Sequence, residues 1–443
     1  MKSDEESLRK AYLPSQLALK YHPFYRGKIE IVPKCPIRSL DDFAIWYTPG
    51  VAEACESIKK KPEAVFEFTN KWNTIAIVTD GSRVLGLGDI GPEAGLPVME
   101  GKALLYKYLG GIDAFPICLS TNKTEEIISA VKWIQPSFAG INLEDIAQPK
   151  CFEILDTLQQ QLEIPVWHDD QQGTATVVLA GFINALKVVG KKISDVKISM
   201  IGAGAANVAL ARLLMLSGAK PGNMILVDSK GTLHRNRKDL KDTPKKWRLC
   251  EITNSEVRQG GIDASMVDTD ACIALSASGP GVISKSSVAK MNDHPIVFAC
   301  ANPVPEIWPW EAEEAGASVV ATGRSDFPNQ LNNSLGFPGI FRGTIDVRAR
   351  TITDDMCLAA ASELAKLAEE KGLSAKNIIP NMDDWEVFPR EATAVADKAI
   401  ASGVARLKKS RDEVYANARS IIKRAREQTK YMMRGGFIQN FPA

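Results

Sequence analysis

The chain has 443 residues, 45% hydrophobic and 24% charged, with a formal net charge of +1; that suits two or three domains with ample core and favours neither nucleic acid nor an anionic membrane as partner. The charged start MKSDEESLRK lacks the apolar stretch of a signal peptide, and no run approaches the roughly 18 apolar residues of a membrane span. Eight scattered cysteines without a C-x-x-C pair read as reduced thiols of a cytoplasmic protein, and four histidines argue against a histidine-rich zinc site.

In chain order, DDFAIWYTPGVAEACESI sets Tyr47 just before a Pro-Gly turn that feeds a helix. TIAIVTDG reads as a buried strand. The Gly-rich loop beyond it carries Arg83 and ends on Lys102 at the start of a helix. A helix N-terminus and a nearby metal would both disfavour a charged lysine, which would make Lys102 a usable base near neutral pH. Taken singly, these residues have plain readings: a packed tyrosine and a surface lysine.

IDAFPICLS, FAGINLED and IPVWHDD follow as strands, with helical stretches between them. FAGINLED ends on Glu144 and Asp145, and IPVWHDD on Asp169 and Asp170, with a helical pattern from Gly173. Carboxylates gathered on one spot repel unless a divalent cation neutralises them, and all-oxygen ligation suits Mg²⁺ or Mn²⁺ rather than structural zinc. The plain alternatives are solvated loop ends, or Asp170 as a helix cap. His168 beside them has the ordinary reading of a satisfied strand-end histidine.

KISMIGAGAANVALARLLMLSGA is a strand, a Gly-rich turn and a helix. Gly202 permits the tight turn, Gly204 lets a pyrophosphate approach, and the helix from about Ala206 offers the free N–H groups of Ala205, Ala206 and Asn207. Asn207 stands where a third glycine is usual, so helix and strand are expected slightly further apart. NMILVDSKG puts Asp228 at the next strand end, suited to a ribose with free hydroxyls and so to NAD. Lys230, Arg235 and Arg237 lie just beyond and could neutralise the 2′-phosphate of NADP. The plain alternative is a tight turn with no ligand.

The basic run HRNRKDLKDTPKKWR also contains acids and reads as a solvated loop and helix. ACIALSASG, PIVFACANP and ASVVATGRSD complete the strands; from about Thr351 the pattern is helical, with a long amphipathic stretch from Pro389 to about Met433. Strands alternating with helices, with polar residues at the carboxyl ends of the strands, indicate an α/β fold with parallel sheets and ligands at that edge.

YTPGVAEAC, VTDGSRVLGLGDIG, PVMEGKALLYKYLGG, INLEDIAQPKCFEIL, HDDQQGTA, GAGAANVALARLL, ACANPVPE and TGRSDFPNQLNNSLGFPGIFRG together resemble the malic enzyme family, in the family's order from about residue 35 to 345. The resemblance implies an N-terminal malic-enzyme domain over 1–168 and a Rossmann-type NAD(P)-binding domain over 169–331. It further implies a mainly helical segment over 332–443 that folds back onto both, partly across a homodimer or higher oligomer. It makes Tyr47 the general acid and Lys102 the general base. Arg83 falls on the grip for a substrate carboxylate, and Glu144, Asp145 and Asp170 on the metal ligands, with Asp169 tuning Lys102. Asn302, Asn332 and Asn333 fall on polar groups at the substrate and nicotinamide. The implied reaction converts L-malate to pyruvate and CO2 with reduction of NAD or NADP, and includes oxaloacetate decarboxylation. Gln172, where many small relatives carry histidine, and Trp46 beside Tyr47 depart from the pattern without removing a functional group. A malolactic enzyme, which keeps its NAD and releases lactate, is not separated by any residue. A silent NAD-binding protein would be expected to lack Lys102, Tyr47 or a metal acid, and all are present.

Overall fold

Short apolar runs ending on polar residues become strands when helices cover both faces. The computed structural model, which describes residues 2–84 and 86–441, contains all nine expected strands. Four form one parallel sheet in the order β2-β1-β3-β4: β1 (Thr74–Thr79), β2 (Asp113–Cys118), β3 (Gly140–Leu143) and β4 (Val166–His168). The second sheet comprises β5 (Ile198–Ile201), β6 (Met224–Asp228), β7 (Gly231–Thr232), β8 (Ala271–Ala274), β9 (Ile296–Ala299) and β10 (Val319–Thr322), in the order β10-β9-β8-β5-β6-β7. Its pairings are parallel except that β7 turns back antiparallel on β6. The sequence shows no strand at β7, because two residues carry no period. The α/β class is as expected.

Each sheet has a point where the chain crosses from one side to the other. β2 and β3 flank β1, and β6 and β8 flank β5. Crevices open at the carboxyl ends of strands at such crossings. The residues after β1 and β3 therefore share one crevice, and those after β5 and β8 share the other.

Two expected elements differ. Lys102 does not start a helix: it lies inside the helix Gly91–Gly110. Pro92 sits at the helix start, where its missing N–H costs nothing, and Pro97 is carried further in. The buried face of Gly95, Met99, Lys102, Ala103 and Tyr106 outweighs the breakers that read as a loop. The stretch from Pro389 to Met433 is two helices, Val387–Ala401 and Arg411–Arg434. Gly403 turns left-handed at φ +73. Ser410 and Glu413 then form a reciprocal cap that starts the second helix.

The C-terminal helices pack back over both sheets' partners. Asp354–Glu370 lies on Thr174–Val188, while Arg411–Arg434 lies on Gly91–Gly110. The helix Phe337–Asp346, buried at every residue, lies between Gly91–Gly110 and Val387–Ala401. Close approach there needs glycine: a Cβ on Gly343 would lie 2.1 Å from the Ala392 carbonyl oxygen. Among the described residues, no helix is long and apolar enough to cross a membrane.

Candidate active site

β3 and β4 end in step, Leu143 opposite His168, so the residues just beyond them meet. Glu144, Asp145 and Asp170 each bring a carboxylate oxygen within 4.8 Å of the other two. Asp145 takes a left-handed turn at φ +52. Its N–H donates to Asp170 Oδ2 at 2.9 Å, and its carbonyl accepts the Arg83 N–H at 2.9 Å. Asp170 caps no helix. Asp169–Gly173 form one wide π turn ahead of the helix Thr174–Val188, which starts without a side-chain cap.

Asp169 is fully buried and faces Lys102, whose Nζ donates to Asp169 Oδ2 and, at 2.6 Å, to Glu144 Oε1. Asp169 also accepts from Trp167 Nε1 at 3.1 Å and from Asn333 Nδ2. Gly173 is obligatory, since a Cβ there would lie 1.8 Å from Asp169 Oδ1. The ring of Phe337 lies 4.4 Å from the ammonium.

Burial pushes the Glu144 carboxyl up; Lys102 opposes this, while Asp170, Asp169 and Asp145 push it further, and the net direction is upward. Burial alone would lower Lys102, but the charges of Asp169 and Glu144 outweigh it and hold the lysine above its ordinary value. That reverses the direction expected from the sequence, because the invoked helix N-terminus is not there and the two acids are. Four acids against one lysine leave a surplus of negative charge. An all-oxygen donor set with that surplus fits a hard divalent cation. His168 is buried and burial lowers its pKa, but it is not the satisfied histidine expected: its Nδ1 is 3.7 Å from Asp170 Oδ2 and neither ring nitrogen has a hydrogen-bond partner among the described residues.

The other expected residues divide. Asn333 joins the cluster through Asp169. Asn332 uses its Oδ1 to accept from Ser334 N–H at 2.9 Å and Ser334 OH at 2.6 Å, capping a short 3₁₀ turn. Arg83 and Asn302 are exposed on loops after β1 and β9. The two loops touch, since a Cβ on Gly86 would lie 2.7 Å from the Asn302 carbonyl oxygen. Tyr47 is 71% exposed at the end of the short helix Asp42–Trp46, and among the described residues no hydrogen bond joins it to Lys102, which donates to Glu144 and Asp169.

The second crevice is made of backbone. Gly202 has φ +93, and a Cβ there would lie 2.6 Å from the Leu275 carbonyl oxygen. A Cβ on Gly204 would meet nothing within 4 Å, which leaves room for a ligand against the chain. The helix Ala205–Leu216 starts on Gly204 with no side-chain cap, so the N–H groups of Ala205, Ala206 and Asn207 are available to an anion. Asn207 does not wedge helix and strand apart: buried, it donates to the carbonyls of Ile201 at 2.9 Å and Gly202 at 2.7 Å and ties them together. Asp228, at the end of β6, is paired with Arg237 at 2.9 Å.

Residues 26–159 match the family model for the malic enzyme N-terminal domain, and residues 171–400 match that for the malic enzyme NAD-binding domain. The chain belongs to the malic enzyme family. It is 47% identical to the bifunctional malic/malolactic enzyme of Bacillus subtilis (strain 168), over 91% of this chain and 97% of that one. It is 49% identical to the NAD-dependent malic enzyme of Geobacillus stearothermophilus, over 86% and 78% respectively. Relatives named NADP-dependent malic enzymes match at 41% identity. The crystal structure of Entamoeba histolytica malic enzyme superposes with a TM-score of 0.97 at 46% identity, covering 100% of this chain and 93% of that one.

In this malic enzyme chain, the sequence reading missed the second layer behind Glu144. Tyr106 OH donates to Asn142 Oδ1 at 2.7 Å, and Asn142 Nδ2 donates to Glu144 Oε2 at 2.8 Å. Burial, with Asp169 and Glu144, raises the Tyr106 hydroxyl well above its ordinary value. The signal was present: Tyr106 is four residues after Lys102 and so shares its helix face. It reads only once Gly91–Gly110 is known to be one helix.

Proposed function

We propose that this chain oxidises and decarboxylates L-malate to pyruvate and CO2 while reducing NAD, with Mg²⁺ or Mn²⁺ held by Glu144, Asp145 and Asp170. The observation that carries this reading is Lys102, buried and bonded to both Glu144 and Asp169 at the rim of the acidic trio. The divalent ion would supply Lewis-acid polarisation of the substrate's C2 oxygen, and the coenzyme the hydride acceptor. The chain's own groups do the rest. Asp169 and Glu144 hold Lys102 as an ammonium in the chain alone; with a divalent ion on Glu144, Asp145 and Asp170 to offset that negative charge, Nζ is freed to take the C2 hydroxyl proton. Asn333 and Trp167 fix Asp169 from two sides, while Tyr106 and Asn142 fix Glu144. Arg83 grips a substrate carboxylate, and Asn302 and Asn332 orient substrate and nicotinamide. Once the C4 carboxylate leaves as CO2, the Tyr47 hydroxyl protonates C3.

For that last step Tyr47 must be covered. Leu40, Phe43, Ile45 and Trp46 are exposed beside it, with Leu40 at 84%. An apolar surface of this kind on a soluble enzyme supports coverage by a second copy of the chain, and hence a homodimer or higher assembly. The change of sheet between β4, which ends at His168, and β5, which starts at Ile198, supports a division into 1–168, 169–331 and 332–443. Asp228 and the Geobacillus relative favour NAD, whereas the NADP-dependent relatives speak for the other coenzyme.

The test is initial rates on L-malate with NAD and with NADP, with and without Mn²⁺, assaying pyruvate and reduced coenzyme together. Pyruvate equal to NADH supports the reading. Lactate without net NADH would replace it with the malolactic reaction, which the Bacillus relative also carries in its name.

A further inference from the structure

The cleft at the carboxyl end of β6, about 730 Å³, is lined by Asp228, Lys230, Asp263 and Ser284. It adjoins the Gly202 turn, whose N–H donates to Val227 O at 2.9 Å, so it is the place for the adenosine end of the coenzyme. Lys230, Arg235 and Arg237 are the first three lysine or arginine side chains after Asp228, and what each of them holds bears on whether a 2′-phosphate has a partner there.

Arg237 has none of its five N–H groups to spare. Nη1 and Nη2 grip the two oxygens of Asp228 at 3.1 and 2.9 Å, while Nε and Nη2 grip those of Asp239 at 2.9 and 3.0 Å. The remaining Nη1 hydrogen faces the carbonyls of Gly231 and Thr232 at 3.3 Å. Asp228 Oδ1 also accepts the Lys230 N–H at 2.9 Å, which fixes the carboxylate toward the cleft wall. Lys230 lines the cleft, and its exposed Nζ is 3.7 Å from Asp239 Oδ2, a surface contact that leaves it able to swing away. Arg235 points elsewhere, donating to the Ser255 carbonyl at 3.1 Å.

We propose that Asp239 is a specificity-determining residue: by saturating Arg237 it withholds that guanidinium from a 2′-phosphate, and Arg237 instead braces Asp228 for the free ribose hydroxyls of NAD. This rests on the NAD reading above and names the residue behind it. Asp239→Ala leaves Nε–H and one Nη2–H of Arg237 without a partner, pointing into the space that the carboxylate vacates. A charge-assisted bond from them to a phosphate is worth roughly tenfold or more in affinity.

The experiment is equilibrium binding of NAD⁺ and NADP⁺ to the purified full chain, followed by calorimetry without malate. It compares wild type, Asp239→Ala, the near-isosteric Asp239→Asn, and the double variant Asp239→Ala/Arg237→Ala. Wild type is expected to bind NAD⁺ more tightly than NADP⁺. Asp239→Ala should tighten NADP⁺ roughly tenfold with little change for NAD⁺, and Asp239→Asn should move the same way by less. The double variant should lose the gain. Unchanged NADP⁺ affinity in both single variants overturns the proposal. So does a gain that survives in the double variant, since that is only the removal of a negative charge. So does wild type that binds NADP⁺ as tightly as NAD⁺. Failure of wild type to oxidise malate while these affinities hold would overturn the proposed reaction and leave the role of Asp239 standing.

Discussion

The two crevices are built from different materials. At the end of β3 and β4 the site is made of side chains: Lys102, Glu144, Asp169 and Asn333 come from four separate segments and meet in one buried network. At the end of β5 it is made of main chain, with a left-handed glycine, an open glycine and an uncapped helix start. A side-chain site fails when one functional group is deleted. A backbone site tolerates that and fails when bulk is added.

The largest expected effect breaks the first crevice alone. Asp170→Ala or Glu144→Ala should abolish malate turnover, because the remaining acids lose a ligand and keep their repulsion. EDTA should do the same to wild type reversibly, with Mn²⁺ restoring activity, and calorimetry should show NAD⁺ binding almost unchanged in both cases. Turnover in metal-free buffer would erase the distinction between the crevices.

Lys102→Ala should lower malate oxidation by roughly 10²–10⁴-fold, the usual yield of a general base. Tyr47→Phe should impair enolpyruvate ketonisation more than hydride transfer. If a second copy covers Tyr47 and supplies it across the interface, mixing these two weak variants should restore roughly a quarter of wild-type activity, since about half of randomly paired dimers are mixed and each has one intact site. No recovery after verified subunit exchange would place Tyr47 and Lys102 of one active site on the same chain.

Gly204→Val tests the second crevice by adding bulk. Nothing in the chain lies within 4 Å of a Cβ there, so the fold should persist by circular dichroism. NAD⁺ affinity should fall roughly tenfold or more as backbone–phosphate bonds lengthen, while metal-dependent oxaloacetate decarboxylation falls much less. Equal loss of both would mean that the two crevices do not act separately.

The smallest effect concerns a buried acid outside both crevices. Glu391 packs against Gly339, and neither carboxylate oxygen has a hydrogen-bond partner among the described residues. Burial pushes it well above the usual carboxylate range, with Glu363 adding to the shift. The folded chain therefore keeps a proton that the unfolded chain releases. Its contribution to stability is full below the unfolded value near pH 4 and declines as pH rises toward the folded value, by up to about 1.4 kcal/mol per pH unit. Glu391→Gln removes this dependence, so urea melts should show its advantage over wild type growing from pH 5 to pH 8. A constant difference would show that the acid is ionised or solvated in the folded state.

What the sequence discloses follows the same division. The strands and the glycine turn are local patterns of period and spacing, and they read directly. The acid pairs also read, because β3 and β4 end in them. Lys102 was misplaced on its helix because Pro92, Pro97 and Gly101 imitate a loop locally, while the burial that overrides them comes from elements far along the chain. Tyr106 and Asp239 were missed for a related reason. Each acts through a neighbour, and only the folded path shows Arg237 turning back over Asp228.

The contact between Asn333 and Asp169 spans 164 residues, and the one between Arg342 and Asn73 spans 269. A chain emerging from the ribosome can complete its first sheet at residue 168, but the network around Asp169 still lacks its last hydrogen-bond donor. The whole coenzyme-binding sheet must be made before Asn333 arrives. Completion of the acid cluster's hydrogen bonds is thus among the late events of synthesis, and a truncated product that ends before residue 333 would carry Glu144, Asp145, Asp170 and Lys102 yet leave Asp169 incompletely held.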